Sequence, residues 1–174
     1  YIDLANEVQM NSWSNSPYYL PRFRKWLENK YGTVSAMNRA IGTNYESFSE
    51  VNWPSGWNVE EALVTEYDEY NDWELADYHK FCADIIHEYV PDMPVWTKIM
   101  SYTADYGDIH DYSYYNNGTG LDAYADVLNV NGCDAYNYLD WDKGRLVKNQ
   151  WYDYMVGINY APVFNGEDHI IKDS

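Results

Sequence analysis

The chain has 174 residues, and its 28 acidic and 11 basic side chains give a net charge of −17 at pH 7. A chain this acidic repels nucleic-acid backbones and anionic lipid surfaces, so we expect neither nucleic acid nor a membrane as a partner. No apolar stretch approaches the roughly 20 residues of a membrane-spanning helix. We therefore expect a soluble protein, secreted or periplasmic rather than cytoplasmic.

Hydrophobic periodicity and turn residues predict strands alternating with helices. In chain order we predict a strand at 1–7, helices at 17–31 and 33–41, a helix at 68–89, a strand at 94–100, a helix at 121–130, a strand at 133–138, a helix at 145–155 and a strand at 161–164. Alternation of this kind indicates a parallel sheet with helical crossovers. We expect all of residues 1–174 to belong to one domain.

Glycines and hydroxyl side chains mark the ends of the first two helices. Gly32 and Gly42 stand where each helical pattern stops, as glycines at helix C-termini commonly do. Thr33 and Ser35 are alternative N-caps for the second helix.

The long predicted helix carries a stripe of apolar residues. Its members follow helical spacing and are Tyr78, Phe81, Cys82, Ile85, Ile86 and Tyr89. Such a stripe is typical of a helix face that packs against a core. Cys82 and Cys133 have no metal-ligand spacing, so we expect two buried free thiols, with a disulfide as the alternative.

Two predicted strands end at a glutamate, one at Glu7 and the other just before Glu167. In a parallel barrel, active-site residues stand at the carboxyl ends of the strands. Two carboxylates at one rim are what glycoside hydrolysis requires. The pattern therefore predicts a glycosidase, in which Asn6 is placed to hydrogen-bond a sugar hydroxyl.

Aromatic residues make up 18% of the chain, with 20 Tyr, 8 Trp and 4 Phe. Tyr and Trp combine a flat apolar face with a hydrogen-bonding tip, which suits stacking against sugar rings as well as core packing. Trp13, Trp96 and Trp141 are candidate stacking platforms for an oligo- or polysaccharide. We find no ligand spacing for a metal and expect no cofactor.

The segment after Asn6 and Glu7 carries a resemblance to a known family. Residues 23–43 read FRKWLENKYGTVSAMNRAIGT. They resemble the phrase F-R-x-W-L-x-x-K-Y-G-T-x-x-x-L-N-x-A-W-G-T of glycoside hydrolase family 42, which comprises β-galactosidases and related enzymes. The match is close over residues 1–54, and beyond them it is carried by element order and by Glu167.

The resemblance implies a (β/α)₈ TIM barrel of which this chain covers about strands 4 to 7. The remaining strands would come from chain segments outside residues 1–174, so we expect this part alone to be inactive and to expose apolar surface. The resemblance also implies that Glu7 is the acid/base and Glu167 the nucleophile of a retaining reaction. Tyr136 resembles the tyrosine that hydrogen-bonds the nucleophile, and Tyr138 is the alternative.

Two departures from the family pattern concern zinc and substrate. Residues 8–18 contain no cysteine, so the structural zinc of many members is not expected. The residues around Glu167 differ from the usual β-galactosidase context, which leaves galactosides, agar-type galactans and other β-glycosides open. The alternatives to an enzyme are a carbohydrate-binding protein and a barrel relative that has lost catalysis.

Overall fold

A computed structural model describes residues 1–7, 10, 16–54, 62–100, 120–134 and 141–167. Within them, strands β1 to β5 span Ile2–Asp3, Val95–Trp96, Lys98–Met100, Asn131–Asp134 and Val163–Glu167. Helices α1 to α4 span Tyr19–Tyr31, Val34–Ile41, Ala62–Tyr89 and Trp141–Asn159. Two 3₁₀ turns span Phe48–Glu50 and Leu121–Tyr124.

The described strands pair in parallel and in chain order, as the alternating pattern predicted. β1 pairs with β2, and β3, β4 and β5 form a sheet in that order. Although Thr97 separates β2 from β3, the backbone pairing runs on. The Leu4 N–H donates to the Trp96 carbonyl at 2.7 Å, and the Lys98 N–H donates to the Ala5 carbonyl at 3.2 Å.

The strands separate a helix-facing side from an opposite side, because successive strand residues point in opposite directions. Cys133 is fully buried and belongs to the same core as Trp151 and Met155 of α4. On the other side, the rings of Trp96 and Phe164 meet edge to face with centroids 4.7 Å apart. The carboxyl ends of the strands border this second side.

Much of the aromatic content packs the core between α1 and α3. Phe23 is fully buried, and its ring centroid lies 5.8 Å from that of Trp53 and 5.2 Å from that of Tyr70. Tyr19 contacts Trp53 and Tyr70 at 5.2 Å each. These rings therefore stabilise the fold, which is one of the two uses that the composition allowed.

The predicted ends of α1 and α2 are confirmed. Gly32 and Gly42 follow the two helices with φ of 70° and 71°, values that glycine adopts without steric cost. The Thr33 hydroxyl oxygen accepts a hydrogen bond from the Ala36 N–H at 3.2 Å. Of the two alternatives, Thr33 is therefore the cap and Ser35 is not.

The prediction that the stripe of α3 packs against the core is wrong for most of its members. Tyr78, Phe81, Ile85 and Tyr89 are 47%, 62%, 42% and 81% exposed in the described part of the chain. The buried side of this region instead holds His79, whose Nδ1 lies 3.2 Å from the Tyr124 hydroxyl. The side of α3 that is buried here therefore carries a polar residue with a buried hydrogen-bond partner, and not the apolar stripe.

The segment predicted as a helix at 121–130 forms only the short turn Leu121–Tyr124. The chain then leaves helical geometry because Asn129 bonds to the sheet. Its N–H donates to the Val95 carbonyl at 3.3 Å, and its side-chain oxygen accepts from the Val95 N–H at 3.2 Å. These bonds fix the approach to β4, which begins at Asn131, two residues earlier than predicted.

Other element boundaries also differ from the prediction. α3 and α4 each extend beyond the predicted ranges, and β5 continues past Phe164 to Glu167. Residues 135–138 of the strand predicted at 133–138 lie outside the described part. Cys82 and Cys133 are free thiols, with Cys133 buried and Cys82 partly buried. In the described part of the chain, no helix is long and apolar enough to cross a membrane.

We predict that Gly132→Ala destabilises the fold, because β4 has no room for a side chain there. A Cβ at Gly132 would lie 2.2 Å from the Trp96 ring and 2.3 Å from the Thr97 carbonyl oxygen. We expect the free energy of unfolding of this domain in the complete protein to fall by about 1–3 kcal/mol, measured by urea denaturation.

The control is Gly157→Ala in α4, where an added Cβ meets nothing within 4 Å. This change should be neutral or raise the free energy of unfolding by about 0.5–1 kcal/mol. Equal destabilisation by both changes would contradict the tight contact at Gly132.

Candidate active site

β1 ends at Asp3 and not at Glu7 as predicted, and the segment that follows it places Asn6 and Glu7 at the rim of the sheet. Asn6 is exposed and Glu7 is partly buried. Glu7 has a φ of 51°, in the left-handed region that costs a residue with a Cβ about 1–2 kcal/mol. Such strain persists where the surrounding structure requires it, and it is concentrated at functional sites.

The end of β5 delivers Glu167 through an irregularity in the sheet. Cys133 pairs with Asn165, but the next residue, Asp134, pairs with Glu167, so Gly166 is left out of the register. This is a β-bulge, which re-aims the side chain that follows it. Without the bulge, strict alternation would place Gly166 opposite Asp134 and turn Glu167 toward the helices.

Three carboxylates meet where these strand ends converge. One carboxylate oxygen from each of Glu7, Asp134 and Glu167 lies within 4.8 Å of the others. The Asp134 side chain is completely buried, and the Glu167 side chain is 33% exposed. The cluster is therefore closed to solvent at Asp134 and open to solvent at Glu167.

Lys98 supplies a cation to this cluster. Its Nζ donates to Glu167 Oε1 at 2.8 Å and lies 3.8 Å from Asp134 Oδ2. The pKa of the Lys98 ammonium is raised, chiefly by the hydrogen bond to Glu167 and further by the charge of Asp134. Lys98 is therefore charged over the whole neutral range.

Asp134 is unusual because burial favours its protonated form. Desolvation is the largest cause, and the charges of Glu167 and Glu7 act in the same direction, while Lys98 opposes them. Together these effects raise the pKa of Asp134 to about 6. A carboxylate oxygen of Glu7 lies within 4.8 Å of one of Asp134, so the two groups are close enough for each to feel the other's charge.

The three carboxylates are close enough to surround a metal ion. The ammonium of Lys98 already contacts Glu167 and lies near Asp134, so the protein's own cation balances part of their charge. The chemistry that this arrangement offers is proton transfer and nucleophilic attack by carboxylates on a group entering from the open side.

The other residues predicted for substrate binding fall in different places. Trp96 is 5% exposed and packs against Tyr1 and Phe164, on the same side of the sheet as Lys98. The remaining candidates are Trp13, Tyr136 and Tyr138, which lie outside the described residues, and Trp141, of which only the backbone at the start of α4 is described.

Sequence reasoning did not find Lys98, Asp134 or Gly166 as parts of the site. Two of the three had a signal. Lys98 is the one charged residue in the strand run 94–100, and a glycine inside a strand pattern often marks a bulge. Asp134 had none, because the sequence predicted a strand at 133–138, whereas β4 ends at Asp134.

We predict that Asp134→Asn stabilises the protein more at pH 8 than at pH 4. The pKa of Asp134 is higher in the folded protein, at about 6, than the ordinary value of about 3.9 expected on unfolding. The folded state therefore binds more protons, and the wild-type protein loses stability as the pH rises through this window.

Thermal unfolding of the complete protein and of its Asp134→Asn variant at pH 4 and at pH 8 measures this difference in stability. Asp92→Asn is the control, because Asp92 is exposed on the surface and should show no pH-dependent gain. A wild-type protein that becomes more stable relative to Asp134→Asn as the pH rises would contradict the prediction.

Comparisons with known proteins identify the family. The family model described as Beta-galactosidase, glycoside hydrolase family 42, matches residues 2–152. A β-galactosidase from Arthrobacter sp is 35% identical over 91 residues, covering 47% of this chain and 13% of that protein. The β-galactosidase Pbg of Clostridium perfringens is 25% identical over 160 residues, covering 87% of this chain and 22% of that protein. The chain thus spans only a small part of these relatives.

Solved structures agree on the fold. The exo-carrageenase of family 42 from Bacteroides ovatus superimposes with a TM-score of 0.71 and 22% identity, covering 96% of this chain and 25% of that one. A β-galactosidase from the psychrophilic Marinomonas ef1 superimposes with a TM-score of 0.65 and 20% identity, covering 87% of this chain and 25% of that one. These neighbours are (β/α)₈ barrel enzymes, and this chain has a mixed α/β fold that matches a part of such a barrel. The chain therefore belongs to glycoside hydrolase family 42, a family of glycosyl hydrolases.

Proposed function

We propose that this chain carries the catalytic pair of a retaining β-glycosidase, with Glu7 as the acid/base and Glu167 as the nucleophile. The observation that supports this most is that carboxylate oxygens of the two residues lie within 4.8 Å of one another. Retaining enzymes hold their two carboxyl groups about 5–5.5 Å apart, whereas inverting enzymes separate them by about 6.5–9.5 Å to admit a water. The short separation favours retention.

In the proposed first step, Glu167 attacks the anomeric carbon while Glu7 gives its proton to the departing glycosidic oxygen. The bond between sugar and leaving group breaks, and an ester between the sugar and Glu167 forms. In the second step, Glu7 takes a proton from water, whose oxygen attacks the anomeric carbon and releases Glu167. Two inversions give net retention, and the protonation state of both residues is restored.

The proposed substrate is a β-galactosidic bond in an oligo- or polysaccharide. Support comes from the curated relatives in Arthrobacter and Clostridium, which are β-galactosidases. The solved neighbours also include an exo-carrageenase and an exo-β-agarase. We propose that Asn6 hydrogen-bonds the sugar and that Trp96, together with Trp13, Trp141 and one of Tyr136 and Tyr138, lines its binding site.

We further propose that the described strands are strands 4 to 7 of the barrel and that other segments of a longer protein complete it. The exposed apolar side chains of α3, Tyr78, Phe81, Ile85 and Tyr89, support this. A helix in a closed barrel packs against its neighbours on both sides, so these side chains would contact the preceding part of the barrel.

Replacement of the nucleophile provides the first test. We expect the complete protein to hydrolyse aryl β-galactosides and its Glu167→Gly variant to be inactive, because no carboxylate remains to attack the anomeric carbon. Added azide should fill the space of the missing side chain and restore turnover of an activated substrate. The product, identified by NMR, should be the α-galactosyl azide.

The control is Glu7→Gln, which keeps the nucleophile but cannot give a proton. It should still release good aryl leaving groups in a first, rapid turnover and fail to release poor ones, while hydrolysis of the glycosyl-enzyme slows with every substrate because no carboxylate takes the proton from water. No turnover by the complete protein on any β-glycoside, with sugar binding retained, would favour a carbohydrate-binding protein or a barrel relative without catalysis.

A second test concerns the rest of the barrel. We expect residues 1–174 expressed alone to bind the dye ANS and to aggregate, because an exposed apolar face and open strand edges invite association. The change Phe81→Lys on α3 should reduce both effects, whereas Asp84→Lys on the same helix should not. A soluble monomer that unfolds cooperatively without binding ANS would contradict the proposal of a partial barrel.

A further inference from the structure

We propose that Lys98 is a positioning residue for the nucleophile, and that Asp134 holds it in place, so that this ion pair orients Glu167 and keeps the negative charge on it. The inference rests on the proposed function of the two glutamates. It adds a charged pair from two further strands, β3 and β4, to the proposed mechanism.

The contact between Lys98 and Glu167 is direct. The ammonium donates to Glu167 Oε1 at 2.8 Å, and only 11% of the Lys98 side chain is exposed. A charge-assisted hydrogen bond away from bulk water is stronger than an exposed one and restricts the rotamer of its acceptor. One oxygen of the carboxylate is thereby fixed, and the orientation of the group is set for attack.

The stem of Lys98 reaches Glu167 because Gly166 gives it room. A Cβ at Gly166 would lie 2.8 Å from Lys98 Cδ and 3.2 Å from Asp134 Oδ1. Any side chain at the bulge would therefore push against both members of the ion pair. The same glycine that turns Glu167 toward the cluster leaves the space in which Lys98 meets it.

Asp134 fixes the other side of the ammonium. Its side chain is completely buried, Oδ2 lies 3.8 Å from Lys98 Nζ, and a carboxylate oxygen of Glu7 lies within 4.8 Å of one of Asp134. Asp134 thus lies beside both the cation that pairs with the nucleophile and the proposed acid. From this position it holds the ammonium of Lys98 between the strands, where the positive charge disfavours protonation of Glu167.

The charged groups around Glu167 come from each neighbouring strand segment. They are Glu7 after β1, Lys98 on β3 and Asp134 on β4, while Asp3 on β1 acts on Lys98 from farther away. When Glu167 becomes an ester in the first step, Glu7 becomes the ionised partner. The negative charge therefore moves within the cluster while the ammonium of Lys98 stays in place.

The test is the pH dependence of kcat/KM for the Lys98→Met variant of the complete protein. Loss of the cation should make Glu167 harder to ionise, because an opposite charge at this distance shifts ionisation by about 1–3 pH units. We expect the acidic limb to move up by about 1 unit or more, so activity falls about 10-fold or more at low pH and less at high pH. An unmoved acidic limb would overturn the proposal.

Three further variants separate charge from packing and test the role of Asp134. Lys98→Arg keeps the charge and should return the acidic limb to its wild-type position, whatever its effect on kcat. Lys25→Met removes an exposed lysine that pairs with Glu28 on α1, and it should move neither limb. Asp134→Asn removes the group beside Glu7, and its basic limb should move to lower pH. A basic limb unmoved in this variant would contradict the role of Asp134.

A readout without turnover keeps this inference distinct from the proposed function. Carboxyl ¹³C NMR of labelled glutamate, with Glu167 assigned from Glu167→Gln, follows ionisation directly. The Glu167 midpoint should rise in Lys98→Met even if the protein hydrolyses no glycoside, in which case only the proposed function fails. An unchanged midpoint would overturn the role of Lys98 even in an active glycosidase.

Discussion

The pairing of β4 with β5 slips by one residue at Gly166, and the site depends on that slip. With the slip, Glu167 lies opposite Asp134 and joins Glu7 and Lys98. In a regular strand, the side chain of Glu167 would point to the helices, where Cys133 and Met155 form a tight apolar core. A single unpaired backbone position thus separates the proposed catalytic arrangement from a buried charge without a counter-ion.

The cluster that results contains more negative than positive groups. Three carboxylates and one ammonium share a small space, and burial of Asp134 makes a third full negative charge costly there. Protonation of Asp134, whose pKa is raised to about 6, reduces that charge. Glycosidases need one carboxyl that holds a proton and one that does not. The contact of Glu167 with Lys98 favours the ionised form that our proposal assigns to Glu167.

Local chemistry in the sequence was enough to predict much of the fold. Helix ends at Gly32 and Gly42 and the parallel order of strands follow from glycine geometry and alternating periodicity, which act over a few residues. The exposed stripe of α3 was assigned to the core because periodicity measures only apolarity. His79 and Tyr124 show why that fails, since a buried hydrogen bond between distant residues satisfies polar groups that the pattern would place outside.

The candidate site was predictable only where single residues end strands. Glu7 and Glu167 stood out for that reason, whereas Lys98 and Asp134 matter through their distances to other strands, which no local pattern contains. Trp96 shows another limit. Its size and place in the sequence suggest a sugar platform, but its packing over Gly132 and against Phe164 comes from the register of the sheet, which no local pattern contains.

The left-handed backbone at Glu7 sets stability against activity at one position. Glycine, or an asparagine, would occupy that conformation with less steric cost than glutamate. Directed evolution of this protein for heat resistance alone would therefore be drawn toward replacing the very side chain that we assign to proton transfer. A screen that selects only for folding should recover substitutions at residue 7 early, and one that also demands turnover should retain Glu7 and find its gains elsewhere.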